Sequence, residues 1–202
     1  MRNLLFLMIL LFSCREETEV NDNPFNLPYY QFTAEDKSRL LKNYFNGKKL
    51  IYKSDDNLVR EFEIINYYQG KIAFGTGSFS GGNIIWFYHD IQKFEYKTEG
   101  FPYKEQYLQR FETEGKKSKF YGISNFPLWN DSSSFIIDFS QPTISIIING
   151  KIYNKVRIYM SNKNDIFSYA GNERNVNKVY YDEEFGIIKY IEVKGRIWLL
   201  QN

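Results

Sequence analysis

Short apolar runs alternate with polar residues and turn signals along most of the chain, which is the pattern of β-strands. The predicted strands span residues 48–53, 58–68, 71–79, 84–97, 104–113, 134–140, 143–149, 151–160, 178–182, 186–194 and 196–200. Because short turns join consecutive strands, the pattern predicts an antiparallel meander. About ten strands in one open sheet would leave long unprotected edges, so we expect a mainly β fold closed as a barrel or sandwich.

Turn residues and face alternation predict details of this sheet. Asn149-Gly150 lies between two apolar runs and is the strongest hairpin signal, because both residues tolerate positive φ. Further turns are predicted at residues 55–57, 69–70, 81–83, 182–185 and 194–195. The strand 151–160 is predicted to have one solvent-exposed face. Its two faces carry Ile152, Val156, Ile158 and Met160 on one side and Tyr153, Lys155, Arg157 and Tyr159 on the other.

One N-terminal helix is predicted before the strands. Thr33 can cap the first free N–H groups, and acidic residues in the first turn suit the helix dipole. An apolar stripe at helical spacing follows, and it consists of Leu40, Leu41, Tyr44 and Phe45. Asn46-Gly47 is predicted to end the helix, which we expect to pack on the sheet or to plug one end of it.

The first 13 residues are predicted to form a signal peptide. Arg2 precedes the apolar stretch Leu4–Phe12, which is too short for a membrane-spanning helix of about 20 residues. Residues 14–31 are polar and contain two prolines, so they are predicted to be a flexible tether. Residues 32–202 are then expected to form a single β-rich domain.

The stretch Leu11-Phe12-Ser13-Cys14 resembles the lipobox of bacterial lipoproteins. This resemblance implies that Cys14 carries a lipid and becomes the first residue of the mature chain. A triacylated cysteine would hold the domain stably on a bilayer. The alternative is an ordinary secretory signal with a chance cysteine, which would leave an exported protein with one unpaired thiol because Cys14 is the only cysteine.

The residues after Cys14 bear on the destination of the protein. Arg15-Glu16-Glu17 resembles the surface-export signal of Bacteroidetes-type lipoproteins, and the position after the cysteine is not Asp. The resemblance implies an outer-membrane lipoprotein and is compatible with a domain that faces the medium. The alternative is that the charged triplet is an ordinary solvated tether.

Two segments of the domain resemble a group of uncharacterised Bacteroidetes lipoproteins. The matching residues are Phe45, Leu50, Tyr52 and Ser54 near the start, and Val179–Tyr181, Gly186–Tyr190 and Trp198–Leu200 near the end, with a further similarity at Asn149–Val156. These motifs consist of turn glycines and core apolar residues. The resemblance therefore implies an exported β-rich domain and supplies neither catalytic residues nor a ligand.

The composition narrows the choice of partners. Lys and Arg total 26 against 24 Asp and Glu, so the net charge of +2 gives no electrostatic signal for nucleic acid. Phe, Tyr and Trp make up 19% of the residues. Exposed aromatics such as Trp86, Trp129 and the doublets Tyr67-Tyr68 and Tyr180-Tyr181 could stack on a ligand. A genome rich in A and T would also raise the aromatic content, so the excess is only partly a functional signal.

The sequence offers little catalytic chemistry. His89 is the only histidine, and it is interpreted as a structural or surface residue. No zinc site, cofactor or G-x-S-x-G nucleophile is predicted. Gly75–Gly82 is interpreted as a strand end or bulge, because its spacing fits no phosphate-binding loop. The candidate carboxylates are Glu61, Glu63, Asp90, Asp138, Asp182, Glu183 and Glu184, and nothing in the sequence pairs them.

Three functions are compatible with this pattern. The first is a non-catalytic, membrane-anchored lipoprotein whose β-domain binds a partner or supports an envelope assembly. The second is a module that binds a carbohydrate or an apolar ligand in nutrient uptake. The third is a hydrolase, which would need two carboxylates about 5–10 Å apart in a cleft.

Overall fold

The structure is a computed structural model that describes residues 26–77, 83–99, 101–111, 119–131, 134–163, 165–169 and 172–201. The predicted signal peptide, the predicted lipid-attachment residue Cys14 and most of the predicted tether lie outside these residues, and so do Arg15-Glu16-Glu17. No helix in the described part of the chain is long and apolar enough to cross a membrane.

One short helix and fourteen strands are formed by the described residues. The helix α1 spans Ala34–Ser38. The strands are β1 (Tyr29–Tyr30), β2 (Lys49–Ser54), β3 (Val59–Gly77), β4 (Asn83–Thr98), β5 (Phe101–Phe111), β6 (Lys119–Ser124), β7 (Phe135–Ile137), β8 (Ile144–Ile148), β9 (Lys151–Met160), β10 (Phe167–Tyr169), β11 (Asn172–Arg174), β12 (Val176–Asp182), β13 (Gly186–Glu192) and β14 (Ile197–Leu200).

The main sheet is antiparallel and has the order β7-β6-β5-β4-β3-β2-β14-β13-β12-β9-β8. β1 is added in parallel to β4, and β10 and β11 form a separate small hairpin. The predicted mainly β fold is confirmed, but the predicted closure is not: the sheet curls into a half-barrel. Within the described residues its end strands β7 and β8 are not paired with each other.

A loop narrows the open side of the half-barrel. Asn130 N–H donates to the Val176 carbonyl at 2.9 Å, and Val176 N–H donates to the Leu128 carbonyl at 2.8 Å. Phe135 of β7 stacks on Tyr159 of β9, with ring centroids 5.1 Å apart. These contacts hold the β7 side of the sheet against the β9–β12 side, although no ladder joins the two ends in the part of the chain that the structure describes.

The concave face of the sheet is filled by side chains. Tyr52 packs on both Phe62 and Tyr190, and Phe126 from the loop contacts Phe62 and Tyr190. These four residues are buried, and the largest fully buried side chains of the domain are aromatic or aliphatic groups. The interior is therefore a packed core, and the described residues leave it little room for the apolar ligand that one prediction required.

Two predicted strands merge into β3. The sequence predicts a turn at Gln69-Gly70, but both residues lie within the ladder, where Gln69 pairs with Gln92 and Gly70 with Ile91 of β4. The prediction is wrong because the continuous partner strand β4 outweighs the local turn preference of glycine.

β6 is not predicted by the sequence pattern. Its Gly122 is packed between β5 and β7, where a Cβ would lie 3.1 Å from Ile137 Cβ.

Apart from the turn at Gln69-Gly70, the predicted hairpin turns are confirmed where the structure describes them. Asn149 and Gly150 have φ values of 51° and 78°, as a tight hairpin between β8 and β9 requires. Asn57 and Gly195 also have positive φ, in the β2–β3 and β13–β14 turns. Asp182–Phe185 forms the predicted β12–β13 turn, which Gly186 leaves with a φ of 70°.

The predicted faces of β9 are largely wrong. Ile152 and Met160 are exposed, whereas Tyr153, Arg157 and Tyr159 are buried. A register shift between Ile144 and Ile146 of β8 interrupts the alternation beside β9. Polarity alone selects the wrong face here, because the buried Arg157 is neutralised and hydrogen-bonded within the domain. In contrast, the sequence alternates the apolar residues Phe135, Ile137 and Phe139 with the polar Asp138, and this pattern is confirmed: the three apolar residues are buried and Asp138 is only half-buried.

The helix is much shorter than predicted. Its start is confirmed, since Thr33 and Asp36 form a capping box. It ends at Ser38 because buried Gln92 binds the backbone further along: Leu41 N–H donates to Gln92 Oε1 at 3.0 Å, and the Leu41 carbonyl accepts from Nε2 at 3.1 Å. Of the predicted stripe, Leu40, Leu41 and Tyr44 are buried in irregular chain, and Phe45 is exposed.

The segment from Phe32 to Tyr44 covers one end of the sheet. Phe32 packs on Phe120, Tyr44 packs on Phe94, and the Tyr44 hydroxyl donates to the Phe185 carbonyl at 3.0 Å. Burial acts to raise the pKa of Asp36, but hydrogen bonds from Arg110 and Thr33 outweigh it and lower that pKa. The segment thus joins β4 and β5 to the β12–β13 turn.

Candidate functional site

The far half of the β3–β4 hairpin projects beyond its neighbouring strands. β3 and β4 pair as far as Gly77 and Asn83, whereas β5 accompanies β4 only from Thr98 to Ile91. Beyond this point, within the described residues, β1 pairs with the edge of β4 that faces away from β3, with Tyr29 opposite Tyr88. We term this projecting part, residues 70–77 and 83–90 together with β1, the aromatic ribbon.

The ribbon carries an exposed group of aromatic rings. Phe74 stacks on Phe87 with centroids 4.8 Å apart and an interplanar angle of 16°. The ring centroids of Trp86 and Phe74 are 6.0 Å apart, and the interplanar angle between the two rings is 55°. The side chains of Phe74 and Trp86 are 41% and 49% exposed, which is unusual for such large apolar groups. A register shift between Phe74 and Gly75 leaves Trp86 without a direct partner in the ladder.

A second group of rings holds the incoming chain on the ribbon. The Tyr29 hydroxyl donates to Asp90 Oδ1 at 2.6 Å, and Phe32 N–H donates to Asp90 Oδ2 at 2.7 Å. Lys71 Nζ lies 5.0 Å from the Tyr29 ring centroid and 4.5 Å from that of Tyr88. Tyr29 and Tyr30, which the sequence places in the predicted tether, are therefore paired with the sheet.

The other predicted aromatic positions differ in exposure. Trp86 and Tyr68 are exposed as predicted, whereas Trp129 is buried and lies beside Val176. Tyr67 and Tyr180 are half-buried, and Tyr181 is fully buried. Of these aromatic positions only Trp86 joins the ribbon. Sequence reasoning missed Phe74 because its exposure depends on how far β3 and β4 project past β5.

The single histidine lies beneath the ribbon rings. His89 is buried, and the centroid of its ring lies 6.4 Å from that of Phe74 and 5.9 Å from that of Phe87. Burial lowers its pKa, partly offset by Asp90. These contacts fit the predicted structural role. Of the predicted glycine-rich strand end, Gly75–Gly77 complete β3, while the rest of Gly75–Gly82 lies outside the described residues.

Two of the candidate carboxylates, exposed Glu61 and half-buried Asp138, form ion pairs with neighbouring lysines. Glu61 pairs with Lys49 at 2.9 Å, and Asp138 pairs with Lys119 at 3.1 Å. Glu63 borders an open groove of about 690 Å³ between the bases of β3 and β4. In the described part of the chain, no three His, Cys, Asp or Glu side chains gather as metal ligands.

The buried carboxylates take part in the packing of the fold. Glu183 Oε1 accepts from Arg157 Nη1 at 2.6 Å, and Arg39 and Lys155 approach Glu183 at 4.0 Å and 3.7 Å. Asp182 Oδ1 accepts the backbone N–H groups of Glu184 and Phe185. The predicted carboxylates Asp182, Glu183 and Glu184 thus share one turn, beside a groove of about 420 Å³ that also borders Lys42 and Asn154. The sequence did not single out the buried carboxylates Asp36 and Glu192.

Replacing Asp182 by asparagine is expected to stabilise the domain. Burial, aided by the nearby charges of Glu184 and Glu183, raises the pKa of Asp182. Because the pKa of Asp182 is raised in the folded state, ionising this carboxyl destabilises the fold. This destabilisation is absent at low pH, begins as the pH passes the unfolded-state pKa near 3.9, and is complete above the folded-state pKa. Asparagine keeps the oxygen acceptor without the charge, so the gain at pH 7 should be about 0.5–2 kcal/mol.

Urea unfolding at pH 7 and pH 3 checks this expectation. The gain should shrink at pH 3, where Asp182 is neutral in both states. Asp55→Asn is the matched control, because Asp55 is exposed in the β2–β3 turn and should change stability by less than about 0.5 kcal/mol. A loss of stability in Asp182→Asn at pH 7 would contradict the expectation.

A second exposed apolar surface lies on the β8–β9 hairpin. Ile147 and Ile152 face each other across the two strands and are 71% and 60% exposed. Ile144 and Met160 are exposed further along the same strands.

Comparison of the chain with protein families, with curated proteins and with solved structures found no match.

Proposed function

We propose that this chain is a membrane-anchored lipoprotein whose β-domain acts as a non-catalytic binding or supporting domain of the cell envelope. The anchor would be a lipid on Cys14. Its support is the sequence Leu11-Phe12-Ser13-Cys14 after a nine-residue apolar stretch. Arg15-Glu16-Glu17 supports an outer-membrane address, with the domain facing the medium.

The aromatic ribbon is the observation that carries the binding role. Phe74 and Trp86 stay exposed although the domain buries most of its other large aromatic side chains. The ribbon is also held in place, because Asp90 binds both Tyr29 and the backbone of Phe32. Exposed aromatic groups on a fixed backbone are typical of contact surfaces, since they bury much area and have few rotamers to lose.

Binding of a carbohydrate or apolar ligand in nutrient uptake is the second candidate. The exposed ring of Trp86 favours it, because sugars and other ligands stack on indole faces. The 55° angle between Trp86 and Phe74 means that the two rings do not form one flat platform. This geometry favours a partner that surrounds several rings over a single flat sugar ring.

Hydrolysis has the weakest support. It needs two carboxylates with free oxygens in a cleft. Asp182 accepts two backbone N–H groups, and Glu183 is paired with Arg157. Both carboxylates therefore have roles in the packing of the β12–β13 turn.

Labelling of cells with a palmitate analogue tests the anchor. The wild-type protein is expected to take up the label and to stay in the membrane fraction, whereas Cys14→Ser should do neither. Labelled Cys14→Ser would contradict the proposed anchor. Protease added to intact cells is expected to digest the wild-type domain while a periplasmic marker protein remains intact, and protection of the domain would contradict surface exposure without affecting the anchor.

A further inference from the structure

Strand directions place three hairpin turns at the same end of the sheet. Every neighbouring pair in the path from β3 through β2, β14, β13, β12 and β9 to β8 is antiparallel. The β3–β4, β12–β13 and β8–β9 connections therefore lie at one end, and the β2–β3 and β13–β14 turns lie at the other. The aromatic ribbon projects from the first of these ends.

The chain that leads towards Cys14 arrives from the tip side of the ribbon. β1 runs parallel to β4, and β4 runs from the hairpin tip towards the base of the ribbon. Tyr88 N–H donates to the Pro28 carbonyl at 2.8 Å, so the pairing extends to the residue before Tyr29. At Pro28 the described chain therefore enters β1 from the side of the ribbon tip.

The distance to the proposed anchor is short. Cys14 precedes Pro28 by fourteen residues. Fourteen residues span at most about 50 Å when fully extended, and the flexible tether that the sequence predicts would have a root-mean-square span of about 20 Å. The bilayer that holds the lipid therefore stays close to the ribbon, while the opposite end of the sheet lies further away.

The side chains at the ribbon end suit a bilayer interface. Trp and Tyr concentrate at headgroup level, where one end of the ring is apolar and the other is wet, and Phe adds apolar contact at the boundary with the acyl chains. Trp86, Phe74 and Tyr29 are exposed on the ribbon, and Ile147 and Ile152 are exposed beside the β8–β9 turn at the same end. The Lys71 ammonium group lies over the rings of Tyr29 and Tyr88 and adds a cation for lipid phosphates.

We propose that the aromatic ribbon rests in the headgroup region of the bilayer that carries the Cys14 lipid, with Trp86 and Phe74 in contact with lipid. This inference rests on the proposed lipid anchor. The contact fixes the orientation of the domain: the ribbon end faces the membrane, and the end with the β2–β3 turn faces away from it. The contact also gives the exposed rings a partner that surrounds several of them at once.

The three tryptophans make the contact measurable. Trp129 and Trp198 are only 4% and 2% exposed, so Trp86 is the tryptophan that lipid can reach. The lipidated full-length protein is placed in vesicles of phosphatidylethanolamine and phosphatidylglycerol whose acyl chains are brominated near the headgroup. We expect bromine to quench the Trp86 part of the emission. The Trp86→Phe variant, whose folding is verified by circular dichroism, should lose this quenching.

A tryptophan at the other end of the sheet is the matched control. Val59 is exposed at the start of β3, beside the β2–β3 turn. The double variant Val59→Trp with Trp86→Phe should be anchored equally, and the indole introduced at position 59 should not be quenched. Quenching of this double variant as strong as that of Trp86 in the wild type would overturn the proposed orientation.

The same vesicles distinguish this inference from the anchor. Lipid-labelled protein whose Trp86 emission is not quenched would overturn the ribbon contact and leave the anchor intact. If this protein were also a dimer in detergent, a second copy of the chain would be the partner that covers the ribbon. Protein without the lipid label would overturn the anchor and with it both proposals. Quenching of Trp86 in labelled wild type, together with an unquenched indole in the double variant, supports both.

Discussion

Arg157→Met is expected to lower the free energy of unfolding by about 3–5 kcal/mol, the usual cost of removing one partner from a buried ion pair. Arg157 Nη1 donates to Glu183, Nη2 donates to the Phe139 carbonyl at 2.8 Å, and Nε donates to the Gln141 carbonyl at 3.1 Å. Methionine fills a similar volume but leaves the Glu183 charge and two carbonyl groups without these donors.

Urea unfolding followed by circular dichroism measures the loss. Lys155→Met is the matched control: Lys155 also approaches Glu183, at 3.7 Å, but its side chain is largely exposed. An exposed pair contributes about 0–1 kcal/mol, so the control should be close to wild type. The interpretation of Arg157 as the main partner of Glu183 would be wrong if the two variants lost the same stability.

Trp198→Ala is expected to cost about 3–5 kcal/mol, as large-to-small changes of buried aromatic residues do. The Trp198 ring stacks on Tyr190 with centroids 5.7 Å apart, and the Arg60 guanidinium lies 4.3 Å above it. Its Nε1–H donates to buried Glu192 Oε1 at 2.9 Å. Alanine leaves a cavity on the concave face and removes one donor from a buried carboxylate.

Trp198→Phe separates the two contributions of the indole. Phenylalanine retains most of the packing on Tyr190 but cannot donate to Glu192, so its loss should be clearly smaller than that of alanine. Chemical denaturation gives both values, and circular dichroism in the absence of denaturant establishes that each variant folds. Equal losses for Phe and Ala would mean that the hydrogen bond to Glu192, and not the packing, dominates the effect.

The proposed bilayer contact gives the long β3–β4 hairpin a physical reason. Where the ribbon extends past the β4–β5 ladder, Phe74 and Trp86 are 41% and 49% exposed, and contact of such apolar rings with water is unfavourable. Lipid at the tip would remove the same rings from water. Asp90 then acts as the clamp that keeps β1, and with it the chain leading to Cys14, on the ribbon.

The sequence by itself determined the features that depend on short-range chemistry. Asn149-Gly150 adopts the positive φ values of a hairpin because few other residue pairs tolerate them at low cost. Thr33 caps the start of the helix as the sequence predicts, and Asp36 completes a capping box with it. The alternation of Phe135, Ile137 and Phe139 with Asp138 sets which side of this segment is buried.

The tertiary structure decided the features that depend on distant partners. The helix stops at Ser38 because Gln92, 51 residues beyond Leu41, binds the backbone of Leu41. Arg157 is buried in β9 because Glu183 and two carbonyl groups neutralise it, which local polarity does not reveal. Trp86 is exposed because β3 and β4 extend further than β5 does. Trp129 is buried because its loop folds back and pairs with Val176. Side-chain type selects local conformation, but burial of a polar or aromatic group is settled by the partners that the fold brings to it.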